Sequence, residues 1–177
     1  MKKRKRIILI LLTIISCVGC DQITKTIAES RLPRTRVLSF AGDTMRLDYA
    51  ENQGAILSFE HSMPEKWRGA VFSVAVAALS GLLILCLFLV SALRPLSVIG
   101  LSLTCGGISS NLFDRIAFGY VVDFLNVGWG GFRSGIFNVA DAAIIAGLWL
   151  FVLSIVWNLR PRASRKPERF THPGESA

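Results

Sequence analysis

Phe137-Asn138-Val139-Ala140-Asp141 opens an apolar run that continues to Trp157 without another charged residue. At about 1.5 Å of rise per residue, such a run crosses a hydrocarbon core of roughly 30 Å as a helix. An acid a turn inside that helix costs roughly several kcal/mol if charged and unpaired, so Asp141 is expected to have a partner or a task. The plainer alternative is a helix-start acid favoured by the macrodipole. Asn138 lies three residues earlier on the same helix face and is the better cap. A second acid has a similar setting upstream, in Val121-Val122-Asp123-Phe124. Two carboxylates that meet in one damp pocket can share a proton, one acting as general acid and the other as general base.

The rest of the chain agrees with a membrane protein. Its 177 residues are 52% hydrophobic, with mean hydropathy +0.51, too apolar for an ordinary soluble domain. The formal charge of +8 would suggest nucleic acid if the bases shared one folded face. They are instead concentrated at the ends, in Lys2, Lys3, Arg4, Lys5 and Arg6, in Arg160, Arg162, Arg165, Lys166 and Arg169, and in Arg94 of a tight connection. That is the positive-inside pattern, with both termini cytoplasmic.

Three further apolar runs precede the last one: Ile7 to about Ala28, Ala70 to Leu93, and Leu96 to about Phe113. Arg94-Pro95 separates the second from the third, because proline cannot continue the helix ladder. The expected architecture is an all-α polytopic membrane protein with four transmembrane helices and a small extracytoplasmic β-sheet. Residues 1–160 form one membrane domain, with outer loops at about 29–69 and 114–136. Residues 161–177, with prolines, charges and few large apolar groups, are read as a disordered cytoplasmic tail. In the first outer loop, Val37-Leu38-Ser39-Phe40, Ala41-Gly42-Asp43 and Met45-Arg46-Leu47-Asp48-Tyr49 alternate as a β-hairpin around a short turn. Gly54 to Phe59 is a candidate further strand. The glycine-rich second loop is read as irregular, with one short interfacial helix at most.

The charged and amide groups of the spans gather toward one side. Asp21 and Lys25 lie near the outer end of the first, Asn111, Asp114 and Arg115 at the outer end of the third, and Asn138 and Asp141 at the start of the fourth. Asp21 and Lys25 are four apart and can pair, either to close the helix end or to form a wall of the site. Asp114 and Arg115 read equally as a solvated interfacial pair. Asn52 and Gly54 can turn the chain. The four cysteines, Cys17, Cys20, Cys86 and Cys105, fall in apolar stretches and read as small buried thiols. His61 and His172 are the only histidines, so neither a Ser-His-Asp triad nor a histidine-ligated metal is expected.

Five pieces in order resemble the lipoprotein signal peptidase (signal peptidase II) family. They are Asp21-Gln22-Ile23-Thr24-Lys25, Asn52-Gln53-Gly54-Ala55, Gly106 to Arg115, Val121-Val122-Asp123-Phe124 and Phe137 to Asp141. The resemblance implies an aspartic endopeptidase of the bacterial inner membrane, without metal or cofactor. It would act on prolipoproteins, cutting before a cysteine that carries diacylglycerol. Asp123 and Asp141 map onto its catalytic pair, with Asp114 as reserve. Asp21, Lys25, Asn52, Gly54, Asn111, Asp114, Arg115 and Asn138 map onto its other motif positions and are expected to bind substrate. The implied partners are diacylglyceryl-modified prolipoproteins and membrane lipid, with no nucleic acid, and the chain is expected to be a monomer. Two departures are visible: Ile56-Leu57 where the family more often has Ala-Phe, and Ser110 where it usually has glycine.

Two rival readings differ in class. Lys2 to Arg6, an apolar run and Cys17-Val18-Gly19-Cys20 resemble a lipoprotein's own signal, cut before Cys20. A small transporter would line a path with its polar groups, but the inner halves of the spans hold little beyond Ser, Thr and Cys.

Overall fold

The protein is represented by a computed structural model describing residues 1–53 and 65–159, with side chains for 1–53 and 74–158. The candidate strand at 54–59, Gly54 and the tail at 161–177 lie outside the described residues. Four helices and four strands follow in the order α1 (Lys3–Arg31), β1 (Leu38–Phe40), β2 (Met45–Asn52), α2 (Glu65–Leu89), α3 (Pro95–Ala117), β3 (Val121–Trp129), β4 (Phe132–Arg133) and α4 (Val139–Leu159). Lys3–Arg31, Pro95–Ala117 and Val139–Asn158 are long and apolar enough to cross a membrane, while α2 contributes a shorter apolar helix, Val74–Leu89, among the described residues.

Helix α3 is the centre of the bundle and packs against α1, α2 and α4. Small residues allow the closest approaches, as expected where lipid removes the hydrophobic drive between helices. A Cβ on Gly147 would lie 2.4 Å from the Gly100 carbonyl oxygen, and one on Gly107 would lie 2.4 Å from that of Ala140. On the other side of α3, a Cβ on Gly106 would meet Cys17 Cβ at 2.9 Å. Ile10, Leu87, Val98, Leu101 and Cys105 form the apolar core between α1, α2 and α3. Pro95 begins α3, where its missing N–H is harmless.

One member of the basic N-terminal cluster behaves unlike the rest. Arg6 is buried, and its Nη2 donates to the carbonyl oxygens of Leu87 (2.5 Å) and Val90 (2.7 Å). Leu87 belongs to the last turn of α2, whose carbonyls have no partner within the helix, and Val90 lies just past its end. A cation there also suits the helix dipole. The thiols are divided too: Cys17 and Cys105 are buried, Cys86 is half-buried and Cys20 is exposed, so the buried-thiol expectation fails at Cys20.

The hairpin at 38–49 forms as the alternation suggested, with Phe40 opposite Met45 and Leu38 opposite Leu47. The expectation of an irregular second loop is overturned. Helix α3 runs on to Ala117, and Val121–Trp129 is a strand at the middle of an antiparallel sheet ordered β1-β2-β3-β4. Val121 to Phe124 are all buried, so the period-two pattern of a half-exposed strand is missing there. Between Leu47↔Leu125 and Ala50↔Asp123 the register slips, so Asp48 and Tyr49 oppose Phe124 alone. Such a bulge re-aims the residues that follow it.

Candidate active site

The site begins with the cap of α4. The Asp141 N–H donates to Asn138 Oδ1 at 2.9 Å, and the Asn138 N–H donates to Asp141 Oδ2 at 3.2 Å. This reciprocal pair satisfies two amides that the first helical turn leaves open, in the manner of a capping box. The preceding residue is tied to the sheet. Phe137 exchanges both backbone hydrogen bonds with Leu125, each 2.8 Å. That pairing brings the start of α4 alongside β3, two residues beyond Asp123 in the strand.

Asn138 then links the two acids. Its Nδ2 donates to Asp123 Oδ1 at 2.6 Å, while its own cap bonds engage Asp141. Ala50 pairs with Asp123 across the sheet, and Asn52, two residues on, presents its side chain on the same face. Asn52 Nδ2 donates to Asp123 Oδ2 at 3.0 Å. Asn111 of α3 donates from Nδ2 to Asp141 Oδ1 at 2.8 Å. The orientation of that amide has a cause: Lys25 Nζ can only donate, and it reaches Asn111 Oδ1 at 2.7 Å. The amide nitrogen is thereby turned toward Asp141. Asn138 Nδ2 also approaches Asn111 Oδ1 at 3.2 Å.

Behind the amides lies a buried ionic cluster. Lys25 Nζ sits 2.6 Å from both Asp21 Oδ2 and Asp114 Oδ2. The remaining oxygens are also served, which is what makes a buried ion group tolerable. Asp21 Oδ1 accepts the Ala140 N–H at 2.7 Å, a third bond at the start of α4, and Ser110 Oγ donates to Asp21 Oδ2 at 2.8 Å. Gln22 Nε2 donates to Asp114 Oδ1 (2.7 Å) and Ser110 Oγ (2.9 Å). Arg115 is half-buried, with Nη1 3.4 Å from the Asn111 carbonyl oxygen and the charges of Asp141, Asp123 and Asp114 within reach.

Burial pushes the Asp123 carboxyl above its ordinary range. The Asn52 hydrogen bond opposes this, the negative charge of Asp141 adds to it, and Asn138 and Lys25 oppose it again. A carboxyl so placed holds its proton at a pH where an ordinary one has lost it, which suits it to the acid half of a shared-proton pair.

Among the described residues, all of the sequence-derived site residues are therefore found together. Asp123, Asp141, Asn138, Asn111 and Asn52 surround one spot. Asp21, Lys25 and Asp114 stand behind it with almost no exposure, and Arg115 flanks it. Two participants escaped the sequence reading. Gln22 is three residues from Lys25 on the face of α1 that meets α3, a spacing that could have exposed it. Ser110 was visible only as a departure from glycine, yet its hydroxyl joins Gln22 to Asp21.

The sequence matches the signal peptidase (SPase) II family over residues 13–157. It is 32% identical over 153 residues to the lipoprotein signal peptidase of Syntrophus aciditrophicus, covering 86% of this chain and 95% of that one. It is 35% identical over 156 residues to that of Syntrophotalea carbinolica, covering 84% and 90%. Its fold is similar to a solved bacterial membrane enzyme with a TM-score of 0.73 at 22% identity, covering 83% of this chain and 92% of that one. A match that spans most of the sequence, with relatives aligned nearly end to end, means that the chain belongs to the signal peptidase II family.

Proposed function

We propose that this protein is a lipoprotein signal peptidase of the bacterial inner membrane that removes signal peptides from diacylglyceryl-modified prolipoproteins, with Asp123 and Asp141 as its water-activating pair. The observation that carries the assignment is Asn138, a single residue whose side-chain amide donates to the Asp123 carboxyl and whose backbone N–H donates to that of Asp141. Asp141 accepts two N–H donors at a helix N-terminus and is the member of the pair assigned as base. Asp123, biased toward its protonated form, complements it.

The reaction follows from these states. Asp141 takes a proton from a water between the carboxyls, and the water oxygen bonds to the scissile carbonyl carbon. Asp123 gives its proton to the carbonyl oxygen as negative charge develops there. The tetrahedral species then loses its C–N bond. The departing cysteine amine takes the proton held by Asp141, and Asp123 recovers one from the collapsing hydroxyl. Asn52, Asn111 and Asn138 hold the acids in place, and Lys25 with Asp21 and Asp114 holds the amides and the helix start. These three stand as a supporting frame, with Arg115 and Gly54 left to meet the substrate.

Four spans with both termini cytoplasmic fit this chemistry. Helix α2 is 25 residues long, about 37 Å at the helical rise, which is enough to span. The basic ends then lie inside, and the sheet and acids lie at the outer surface, where a cysteine anchored by lipid would present its peptide bond. One helix runs unbroken from Lys3 through Cys20 to Arg31 and buries Asp21 and Lys25, so cutting this chain before Cys20 would strip away most of α1 and leave both residues at a new terminus. The test is incubation of the purified full-length protein with a diacylglyceryl-modified prolipoprotein. The signal peptide is released by the unaltered chain and not by Asp123→Asn or Asp141→Asn, each of which keeps the thermal unfolding profile of the parent. Substantial cleavage by either variant refutes the pair.

A further inference from the structure

The sheet continues well past the site, and its outer half has two unlike faces. Phe40, Met45 and Val127 lie directly opposite one another across β1, β2 and β3, so they share a face. Trp129 is two residues beyond Val127 and pairs with Phe132 of β4, which places both on that face too. All five are exposed, Trp129 by 84% and Phe132 by 87%. The other face is polar and internally bonded. Arg133 reaches Asn126 Oδ1 at 2.8 Å and Asp43 Oδ2 at 2.8 Å, and Arg46 and Ser39 also bind Asp43.

We propose that this apolar face is an interfacial anchor, seated in the outer-leaflet lipid of the membrane that the helices cross. Three observations choose lipid as the occupant. First, the face is the one that carries Asp123, whose contact with Asn138 turns it toward the end of α4. From Asp123 to Trp129 the strand reaches about 20 Å at about 3.3 Å per residue, so it overhangs the bundle. Second, the outer end of α3 also presents apolar side chains: Phe113, Ile116 and Phe118 are as open as the sheet residues. Third, a tryptophan and a phenylalanine flank a two-glycine turn with Gly130 at φ +59°, a tight tip that presents both rings together. Aromatic rings of this kind concentrate at the headgroup level. The anchor stands on the sheet's registry and not on the assignment of the catalytic pair.

The test uses the full chain in vesicles of phosphatidylethanolamine and phosphatidylglycerol. Trp67, Trp149 and Trp157 are replaced by Phe, leaving Trp129 as the reporter. The expected result is blue-shifted emission, protection from aqueous iodide, and stronger quenching by bromines placed high on the acyl chain than by deep ones. If the triple variant folds poorly, the difference in quenching between the unaltered chain and Trp129→Phe gives the same reading. Free access of iodide with no lipid quenching overturns the proposal. So does protection that depends on the protein-to-lipid ratio, which would mean a second copy, or protection that appears only when prolipoprotein is added, which would mean the substrate.

Discussion

Replacing Asn138 with alanine should shift the alkaline limb of the pH dependence of cleavage in one direction. The side chain donates to Asp123 at 2.6 Å and accepts from the Asp141 N–H at 2.9 Å. A hydrogen bond to a charged group contributes about 1.5–3 kcal/mol. The Asn138 bond favours the ionised form of Asp123, so its loss raises the carboxyl further above its ordinary range. At about 1.4 kcal/mol per pH unit, that is a displacement on the order of 1–2 units. Loss of the proton from Asp123 sets the alkaline limb of kcat/KM, so that limb moves to higher pH. The lost cap separately costs about 0.5–2 kcal/mol of stability. Asn138→Ser separates the two effects: serine restores the cap, and with it thermal stability, but it is too short to restore the donor to Asp123. The assay is kcat/KM against pH for a diacylglyceryl-modified prolipoprotein in detergent. An alkaline limb that stays in place or moves to lower pH in Asn138→Ala refutes both the acid role of Asp123 and the function given to Asn138.

Other outcomes follow from the frame around the site. Lys25→Met leaves Asp21 and Asp114 buried without their cation, and the loss of stability should be about 3–5 kcal/mol; unfolding in detergent that shifts by under about 1 kcal/mol means the cluster is better solvated than its burial suggests. Gly147→Ala places a Cβ 2.4 Å from the Gly100 oxygen and should destabilise the α3–α4 pair by about 1–3 kcal/mol. Its control is Gly81→Ala, which meets nothing within 4 Å and should be neutral or stabilising by up to about 1 kcal/mol. Equal melting temperatures for the two variants would mean that α3 and α4 are not held at the described separation.

The polar cluster was easier to read from the sequence than the scaffold around it. Asp141 and Asn138 were legible because a helix spacing and a cap preference constrain one another over three residues. The hairpin at β1 and β2 was legible because one of its faces is wet. β3 was not, because Val121 to Phe124 are enclosed on both sides and a strand without a solvent face has no alternation to read. Arg6 was assigned to the basic cytoplasmic end with its neighbours, since nothing in the local pattern distinguishes a base that turns inward to finish another helix. The close approaches at Gly100, Gly107 and Gly147 escaped notice for a similar reason: a glycine in an apolar run has no partner until the facing helix is known.

That glycine seam has a mechanical consequence. Where two main chains touch with no side chains between them, there is nothing to compress or rotate, so α3 and α4 form a single post. The post carries Asn111 on one member and Asp141 on the other. Whatever yields to let a lipid-anchored peptide in must therefore lie elsewhere, toward α2. A cross-link fastening α3 to α4 would leave turnover intact, while one restraining α2 would slow it.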